Sequence, residues 1–251
     1  MLRRSAGVSS ALLLMDRDLA RQATAEALGT AFLVAVVIGS GIYAQRLSPH
    51  DIGIQLLENS TATGAGLMAL ILAFGPVSGA HFNPVVTLAD RLLGGITNVA
   101  ASVYVIAQIV GGCVGAIVAN LMFSLDAVNL STHTRSSGGL WLGEFVATVG
   151  LLLVIFGVVR SGRSAVAPFA VGGYIAAAYW FTSSTSFANP AVTIARMLSN
   201  TFAGIRPSSV PAFVAVQVVA ALCAVALVRF LHPTVAAEDV VVPHESPDST
   251  H

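Results

Sequence analysis

Hydrophobic residues along the chain gather into six long runs that are separated by short polar stretches. The runs cover residues 24–44, 60–76, 99–123, 140–159, 166–181 and 210–231. Each run is close to the roughly 20 residues that an α-helix needs to cross the hydrocarbon core of a bilayer. The pattern therefore predicts six membrane-spanning helices.

Two shorter apolar pieces, residues 83–93 and 189–198, lie between the second and third runs and between the fifth and sixth. Neither is long enough to cross a bilayer. Short interrupted segments at matching places in the two halves of a membrane protein point to a permeation site. We therefore expect two half-helices that enter the membrane without crossing it.

The short pieces belong to a repeat. Residues 78–90 read SGAHFNPVVTLAD, and residues 184–196, placed 106 positions later, read STSFANPAVTIAR. The flanking runs match as well, since Glu26 and Glu144 each stand early in a run. Each half is thus predicted as two spans, a half-helix and a third span. Because three spans per half is an odd number, the second half must be inverted relative to the first.

Composition supports a membrane protein and excludes other classes. The chain is 55% hydrophobic and 10% charged, whereas soluble domains carry roughly a quarter charged residues. Twelve basic residues, all Arg, balance twelve acidic ones, so the basic surface that nucleic-acid binding needs is missing. A soluble enzyme, a nucleic-acid-binding protein and a disordered scaffold are therefore excluded. Cys113 and Cys223 lie in apolar runs, and we interpret them as small buried side chains.

The ends of the chain are predicted as polar tails. Residues 1–22 form a cytoplasmic N-terminal tail and residues 236–251 a disordered C-terminal tail, on either side of a membrane domain of residues 23–235 with repeats at about 23–124 and 139–232. The positive-inside rule predicts cytoplasmic termini. The basic residues assigned to the cytoplasmic side are Arg3, Arg4, Arg17, Arg21, Arg160, Arg163 and Arg229, against Arg46, Arg135 and Arg206 on the other side.

An Asn-Pro pair opens each half-helix, Asn83-Pro84 in the first half and Asn189-Pro190 in the second. Asn is a preferred helix N-cap and Pro is preferred at the first helical position. In inverted halves the two helix starts can meet near the bilayer midplane, where their positive dipole ends repel cations. Each Asn amide can donate a hydrogen bond to a passing hydroxyl group. Such a site suits small uncharged polar solutes.

These motifs resemble those of the aquaporin family, also called major intrinsic proteins, and the likeness covers about residues 22–232. The family's paired Asn-Pro-Ala motifs stand here as Asn83-Pro84-Val85 and Asn189-Pro190-Ala191. The resemblance implies an all-α membrane protein with six transmembrane helices and two re-entrant half-helices in an inverted repeat. It also implies a pore in every subunit, usually a homotetramer, and passive solute passage.

One position departs from the family pattern. In most members an Arg follows the second Asn-Pro-Ala motif and narrows the outer selectivity filter, but here the position holds Val192. The resemblance assigns Thr63 and Ser186 to two further filter positions. The fourth is Ala177 by ungapped counting, or Tyr179 if the following loop is two residues shorter, and we prefer Tyr179 because loops absorb deletions more readily than spans. This filter is expected to be wide.

Arg196, one helical turn beyond Val192, has two interpretations. It either reaches the outer vestibule and partly replaces the missing charge, or extends to lipid headgroups or a loop carboxylate. For Glu26 and Glu144 we favour structural carboxylates that accept N–H groups of the re-entrant loops over a proton relay. His81 resembles the histidine that lines the cytoplasmic arm of the family's pore.

The predicted function is a passive channel for small neutral solutes in the bacterial inner membrane. Because it lacks this Arg, the sequence resembles a subgroup of bacterial aquaporins, some of which are linked to arsenic detoxification. That resemblance implies passage of metalloid hydroxides such as arsenous acid, with glycerol or urea as further solutes. A water-selective aquaporin and an ion-coupled inverted-repeat transporter are the alternatives. Because no metal-ligand spacing, nucleophile elbow or phosphate-binding loop occurs in the sequence, we expect neither catalysis nor a cofactor or metal.

Overall fold

The computed structural model describes residues 3–233, with side chains from residue 17 onward. The predicted C-terminal tail, residues 236–251, lies outside the described residues. The described chain forms eight α-helices and no strand. They are α1 (Arg3–Leu47), α2 (Ile52–Ser78), α3 (Pro84–Leu93), α4 (Asn98–Met122), α5 (Gly138–Arg160), α6 (Ala167–Phe181), α7 (Pro190–Ala195) and α8 (Val210–Leu231).

Six of these helices are long and apolar enough to span a membrane: α1, α2, α4, α5, α6 together with the 3-10 turn Ser164–Val166 that precedes it, and α8. The remaining two, α3 and α7, are only 10 and 6 residues long. The predicted all-α fold of six spans and two half-helices is confirmed. Helix α1 is continuous from Arg3, so the segment predicted as an N-terminal tail is helical there and runs directly into the first span.

The two halves pack in the same way and then interlock. In the first half α1 contacts α2 and α4, and in the second half α5 contacts α6 and α8. The halves meet where α2 packs against α6. Each half-helix also contacts the last span of the other half, because α3 packs on α8 and α7 packs on α4.

The half-helices end at opposite faces of the molecule. Arg229 at the end of α8 donates a hydrogen bond from Nη2 to the carbonyl oxygen of Leu92 at the end of α3, over 2.6 Å. We call this face, from which α1 also starts, the terminal face. At the opposite face, the backbone N–H of Phe202 beyond α7 donates to Oε1 of Gln45 near the end of α1, over 2.9 Å. The halves are therefore inverted, as the odd number of spans predicts.

Two glycines allow α1 and α4 to approach closely. A Cβ atom on Gly111 would lie 2.1 Å from the carbonyl oxygen of Ala27, and one on Gly115 would lie 2.1 Å from that of Ala31. Small residues four positions apart are a common way to bring membrane helices together. This contact holds the first span of the first half against its third.

The cysteines differ from the prediction. Cys113 on α4 is half-buried and Cys223 on α8 is exposed, so the expectation of burial is wrong for Cys223. The physical reason is that an apolar run in a membrane helix serves lipid-facing and core-facing positions equally. The sequence pattern alone does not separate the two.

Candidate functional site

The two Asn-Pro pairs meet at the centre of the fold. Oδ1 of Asn83 accepts the backbone N–H of Val85 at 3.0 Å, and Oδ1 of Asn189 accepts that of Ala191 at 3.0 Å. Both Asn residues are thus N-caps of helices with Pro at the first position. Their amide nitrogens cross between halves: Nδ2 of Asn83 donates to the carbonyl oxygen of Ala188 at 2.8 Å. The inverted repeat therefore places the two positive helix ends side by side.

The reciprocal bond completes this junction. Nδ2 of Asn189 donates to the carbonyl oxygen of Phe82 at 2.8 Å. Val85, which stands where the family motif has Ala, is only 1% exposed and belongs to the large apolar core. Its two additional methyl groups are accommodated by packing. They leave both cross-links intact.

Glu26 of α1 holds the first re-entrant loop. Its carboxylate accepts the backbone N–H groups of His81 at 2.9 Å and Phe82 at 2.7 Å. It also accepts the hydroxyl of Ser78 at 2.6 Å and Nε2 of Gln108 at 2.7 Å. A buried carboxylate with four donors is well compensated, since hydrogen bonds to charged groups are the stronger ones.

Glu144 of α5 makes the equivalent contacts in the second half. Its carboxylate accepts the backbone N–H groups of Phe187 at 2.8 Å and Ala188 at 2.9 Å, and Nε2 of Gln217 at 2.6 Å. Gln108 and Gln217 were not predicted as site residues. The sequence marks them only by a shared spacing, because each Gln stands three positions after a Val in the last span of its half.

The backbone of each re-entrant loop is held in an unusual conformation at the same two positions. Ala80 and Phe82 have φ values of 50° and 49°, and their counterparts Ser186 and Ala188 have 51° and 47°. A left-handed conformation in residues other than Gly costs about 1–3 kcal/mol each. Each Glu carboxylate accepts the backbone N–H of the second left-handed residue and of the residue before it, which supplies the compensation. No sequence signal marks these positions, because none of the four is Gly.

A cavity of about 80 Å³ runs between the two halves and is lined by both re-entrant loops. That volume is large enough to hold more than one water molecule. Its lining is mostly apolar and includes Leu67, Ile71, Leu151, Ile155, Val171 and Ile175. Polar side chains gather in two clusters, one beside the second re-entrant loop and one beside the first.

The cluster beside the second loop contains the four residues assigned to the filter: Thr63, Tyr179, Ser186 and Val192 all line the cavity. The hydroxyl groups of Thr63 and Tyr179 lie 3.2 Å apart. Ala177, the alternative to Tyr179 for the fourth filter position, is exposed on the surface of α6. Oγ of Ser186 is buried and has no hydrogen-bond partner among the described residues.

Arg196 lies in the same cluster. It is only 2% exposed, lines the cavity, and stacks its guanidinium carbon 3.4 Å from the ring centre of Phe187. Its Nε donates to the carbonyl oxygen of Ala203, and its Nη atoms have no hydrogen-bond partner among the described residues. No carboxylate among the described residues forms an ion pair with this side chain. The 3-10 turn Arg196–Leu198, which continues α7, turns it inward.

Arg135, from the segment between α4 and α5, is a neighbour that the sequence interpretation missed. Its Nε donates to the carbonyl oxygen of Gly204 at 3.0 Å and its Nη1 to that of Ser184 at 3.2 Å. Its guanidinium carbon lies 4.9 Å from the ring centre of Phe187. Burial lowers the pKa of Arg135 below its ordinary value, and Glu144 partly opposes that shift. In the sequence, Arg135 appears only as a loop charge.

The cluster beside the first loop contains His81, which also lines the cavity. Nδ1 of His81 lies 3.0 Å from Oγ1 of Thr87, and Nε2 lies 3.5 Å from Oδ2 of Asp90. The ring also packs edge-on against Tyr104, with ring centres 5.4 Å apart. His81 therefore lies at the terminal-face side of the cavity, where α3 ends.

Within the described part of the chain, no group of three His, Cys, Asp or Glu side chains is arranged to hold a metal ion. The polar side chains that line the cavity carry hydroxyls, amides, the imidazole of His81 and the guanidinium of Arg196. Such groups bind solutes through hydrogen bonds. The arrangement provides a mostly apolar cavity with hydrogen-bonding groups near each re-entrant loop.

Comparisons with known proteins agree with this geometry. The family described as "Major intrinsic protein" matches residues 14–186. The chain is 49% identical to aquaglyceroporin AqpS of Rhizobium meliloti (strain 1021) over 218 residues, 87% of this chain and 93% of that protein. It is 32% identical to aquaporin Z of Photorhabdus laumondii over 167 residues, 61% of this chain and 71% of that protein.

A solved structure supports the fold. The aquaglyceroporin from Plasmodium falciparum superposes with a TM-score of 0.64 at 20% identity, covering 86% of this chain and 100% of that one. Together with the six spans and the paired half-helices, these findings confirm the resemblance seen in the motifs. The chain belongs to the major intrinsic protein family of multi-pass membrane channels, through which small solutes pass passively.

Proposed function

We propose that this channel conducts small uncharged solutes through a wide outer filter formed by Thr63, Tyr179, Ser186 and Val192. The favoured solutes are metalloid hydroxides such as arsenous acid, and glycerol and urea are further candidates. The name of the relative at 49% identity, an aquaglyceroporin, supports a pore that is not restricted to water.

The observation that carries this proposal is the set of three hydroxyl-bearing residues that line the cavity beside the second re-entrant loop, Thr63, Tyr179 and Ser186. The hydroxyl groups of Thr63 and Tyr179 lie 3.2 Å apart. A solute that carries several hydroxyl groups can exchange hydrogen bonds with such a lining. Arsenous acid is neutral at pH 7 and has the shape of a small polyol, so it meets this requirement without a fixed opposite charge.

Val192 supports a wide filter for a second reason. It lines the cavity at 5% exposure and adds neither a charge nor a donor. An Arg at this position would place a planar guanidinium with five donors in the passage. With Val, the filter is limited by the shape of apolar and hydroxyl groups, which discriminate less strongly against larger solutes.

Arg196 favours a second candidate function, a water-selective channel. Its guanidinium is buried and lines the cavity near Val192. If its unpartnered Nη atoms reach the passage axis, they narrow the filter from one turn further out. The pore would then pass water and exclude glycerol and arsenous acid.

Orientation, assembly and the acidic residues are part of the proposal. The excess of Arg near the terminal face supports cytoplasmic termini in a bacterial inner membrane, and a homotetramer is the assembly we expect. The hydrogen bonds of Glu26 and Glu144 to the re-entrant loops support a structural role for both. Neither is needed as a proton carrier.

The test is a panel of stopped-flow measurements on proteoliposomes with water, glycerol, urea and arsenous acid, against protein-free vesicles of the same lipid. The proposal predicts permeability to glycerol and arsenous acid well above that of the empty vesicles. High water permeability without passage of the larger solutes would establish the second candidate. Flux that requires a proton gradient would contradict a passive channel of either kind.

A further inference from the structure

Two guanidinium groups contact the ring of Phe187 beside the second re-entrant loop. The guanidinium carbon of Arg196 lies 3.4 Å from the ring centre, and that of Arg135 lies 4.9 Å from it. Since both carbons are close to one ring, the two cations are close to each other, and like charges repel at short range. The fold therefore concentrates positive charge at this end of the cavity.

No ion pair balances this charge within the described part of the chain. The described carboxylates form none with either guanidinium. Glu144 is the acidic side chain whose charge acts on both Arg196 and Arg135, and its oxygens already accept three N–H groups of the second half. Two cations thus lie near one carboxylate that has other partners, which leaves one positive charge in excess.

Arg196 is the cation that reaches the cavity. Its side chain lines the cavity and is only 2% exposed, whereas Arg135 is bonded through Nε and Nη1 to the carbonyl oxygens of Gly204 and Ser184. Water molecules can accept hydrogen bonds from the Nη atoms of Arg196, but they do not neutralise its charge. Because burying an unpaired charge is costly, a small anion is a better partner for Arg196 than water.

Three hydroxyl groups complete the site around Arg196. Thr63, Tyr179 and Ser186 line the same cavity, and a hydroxyl group can donate a hydrogen bond to an anion. The planar guanidinium pairs well with two oxygen atoms held in one plane, as in a carboxylate. A cavity of about 80 Å³ favours a small ligand. The chemistry of the site therefore fits a small planar oxyanion such as formate.

We propose that Arg196 and the hydroxyl groups of Thr63, Tyr179 and Ser186 form a binding site for a small planar oxyanion of the carboxylate class, which occupies the cavity and slows the passage of neutral solutes. The inference rests on the proposed function, in which this cavity is the solute passage. Arg135 strengthens the site through its charge and not through contact with the anion.

The rest of the cavity holds the anion in place. Its lining is mostly apolar and includes Leu67, Leu151 and Ile155. An anion that left Arg196 for these side chains would lose its charged partner, at the high cost of burying an unpaired charge. We therefore expect the anion to block the passage beside the second re-entrant loop rather than to cross with the solutes.

Thermal unfolding in detergent tests binding without any flux. Sodium formate is the probe, and sodium gluconate, whose anion is too large for the cavity, keeps the ionic strength constant. A ligand that binds the folded state raises the melting temperature, so wild type should melt about 2 °C or more higher at saturating formate. Arg196→Ala should show no formate-dependent shift. The exposed Arg206→Ala is the matched control and should respond as wild type does.

Water permeability of proteoliposomes tests the block. Formate is present at equal concentration on both sides of the membrane, and a sucrose gradient drives the water, so that formate itself creates no osmotic gradient. Wild type and Arg206→Ala should lose water permeability several-fold in formate compared with gluconate, whereas Arg196→Ala should keep it. Protein-free vesicles correct for the permeability of the lipid.

The two measurements have distinct outcomes. A wild-type melting temperature that does not respond to formate overturns the anion site, as does an equal response in Arg196→Ala. A melting response with unchanged water permeability overturns the block. If Arg196→Ala does not fold, Arg196→Gln decides, because it keeps a hydrogen-bonding side chain and removes the charge. A channel that binds formate and passes only water would refute the wide filter alone, since neither measurement depends on it.

Discussion

The two halves of the channel carry a ring and a charged side chain at equivalent positions, but with different chemistry. Two residues before the capping Asn stands His81 in the first half and Phe187 in the second, and seven residues after it stands Asp90 or Arg196. His81 lies 3.5 Å from Asp90, and Arg196 lies 3.4 Å from the ring centre of Phe187. One geometry therefore serves an acid with an imidazole at one end and a guanidinium with a phenyl ring at the other.

The framework around these pairs is the same in both halves. Each re-entrant loop has left-handed residues at corresponding positions and a buried Glu that accepts two backbone N–H groups of the loop. The repeat therefore preserves the backbone and the Glu residues that hold it, while the side chains that line the cavity differ between the halves. Removing one of the two Glu residues should therefore have a different consequence from changing a side chain that lines the cavity.

The largest effect is expected from removing a support. Glu26→Ala leaves four donors without their acceptor, and Glu144→Ala leaves three. Each should destabilise the protein by about 3 kcal/mol or more, with Glu26→Ala the more damaging. Thermal unfolding in detergent measures this, with the exposed Asp126→Ala as control. A wild-type melting temperature for either Glu variant would show that the re-entrant loop keeps its conformation without the carboxylate.

The two Glu residues are among the features that the sequence predicts correctly in position. The spans, the inverted repeat and the two Glu residues follow from hydrophobic periodicity and from an exact offset between halves. The direction of Arg196 does not, because it depends on a 3-10 turn that only packing determines. The position of Arg135 beside the cavity was not predicted for a related reason. A loop has no periodicity from which its contacts with Gly204 and Ser184 could be predicted.

A smaller effect is expected from Arg196→Ala. Removing the guanidinium from the cluster beside the second re-entrant loop should raise glycerol permeability relative to water several-fold, because the cavity there becomes wider and loses a fixed charge. Stopped-flow ratios in proteoliposomes measure it, with the exposed Arg206→Ala as the matched control. An unchanged ratio would mean that Arg196 only braces Phe187 and takes no part in selection.

The smallest effect is expected from Arg135→Lys. A Lys keeps the positive charge but cannot reproduce the fixed pair of bonds to Gly204 and Ser184. Phe187 and the stacked Arg196 should then be held less firmly, with a change of about two-fold in the glycerol-to-water ratio. Arg206→Lys serves again as the control. Should Arg135→Lys behave as wild type while Arg135→Ala does not, the charge rather than the bonding geometry would be what matters.

One measurement tests directly whether Val192 leaves the outer filter wide. It is the ratio of arsenous acid to water permeability in wild type and in Val192→Arg, with Val192→Ala as the variant that changes volume without adding charge. We expect the ratio in Val192→Arg to be lower than in wild type by a factor of about ten or more, equal to about 1.4 kcal/mol or more in the barrier, and the ratio in Val192→Ala to stay near that of wild type. The same ratio in wild type and Val192→Arg would contradict it.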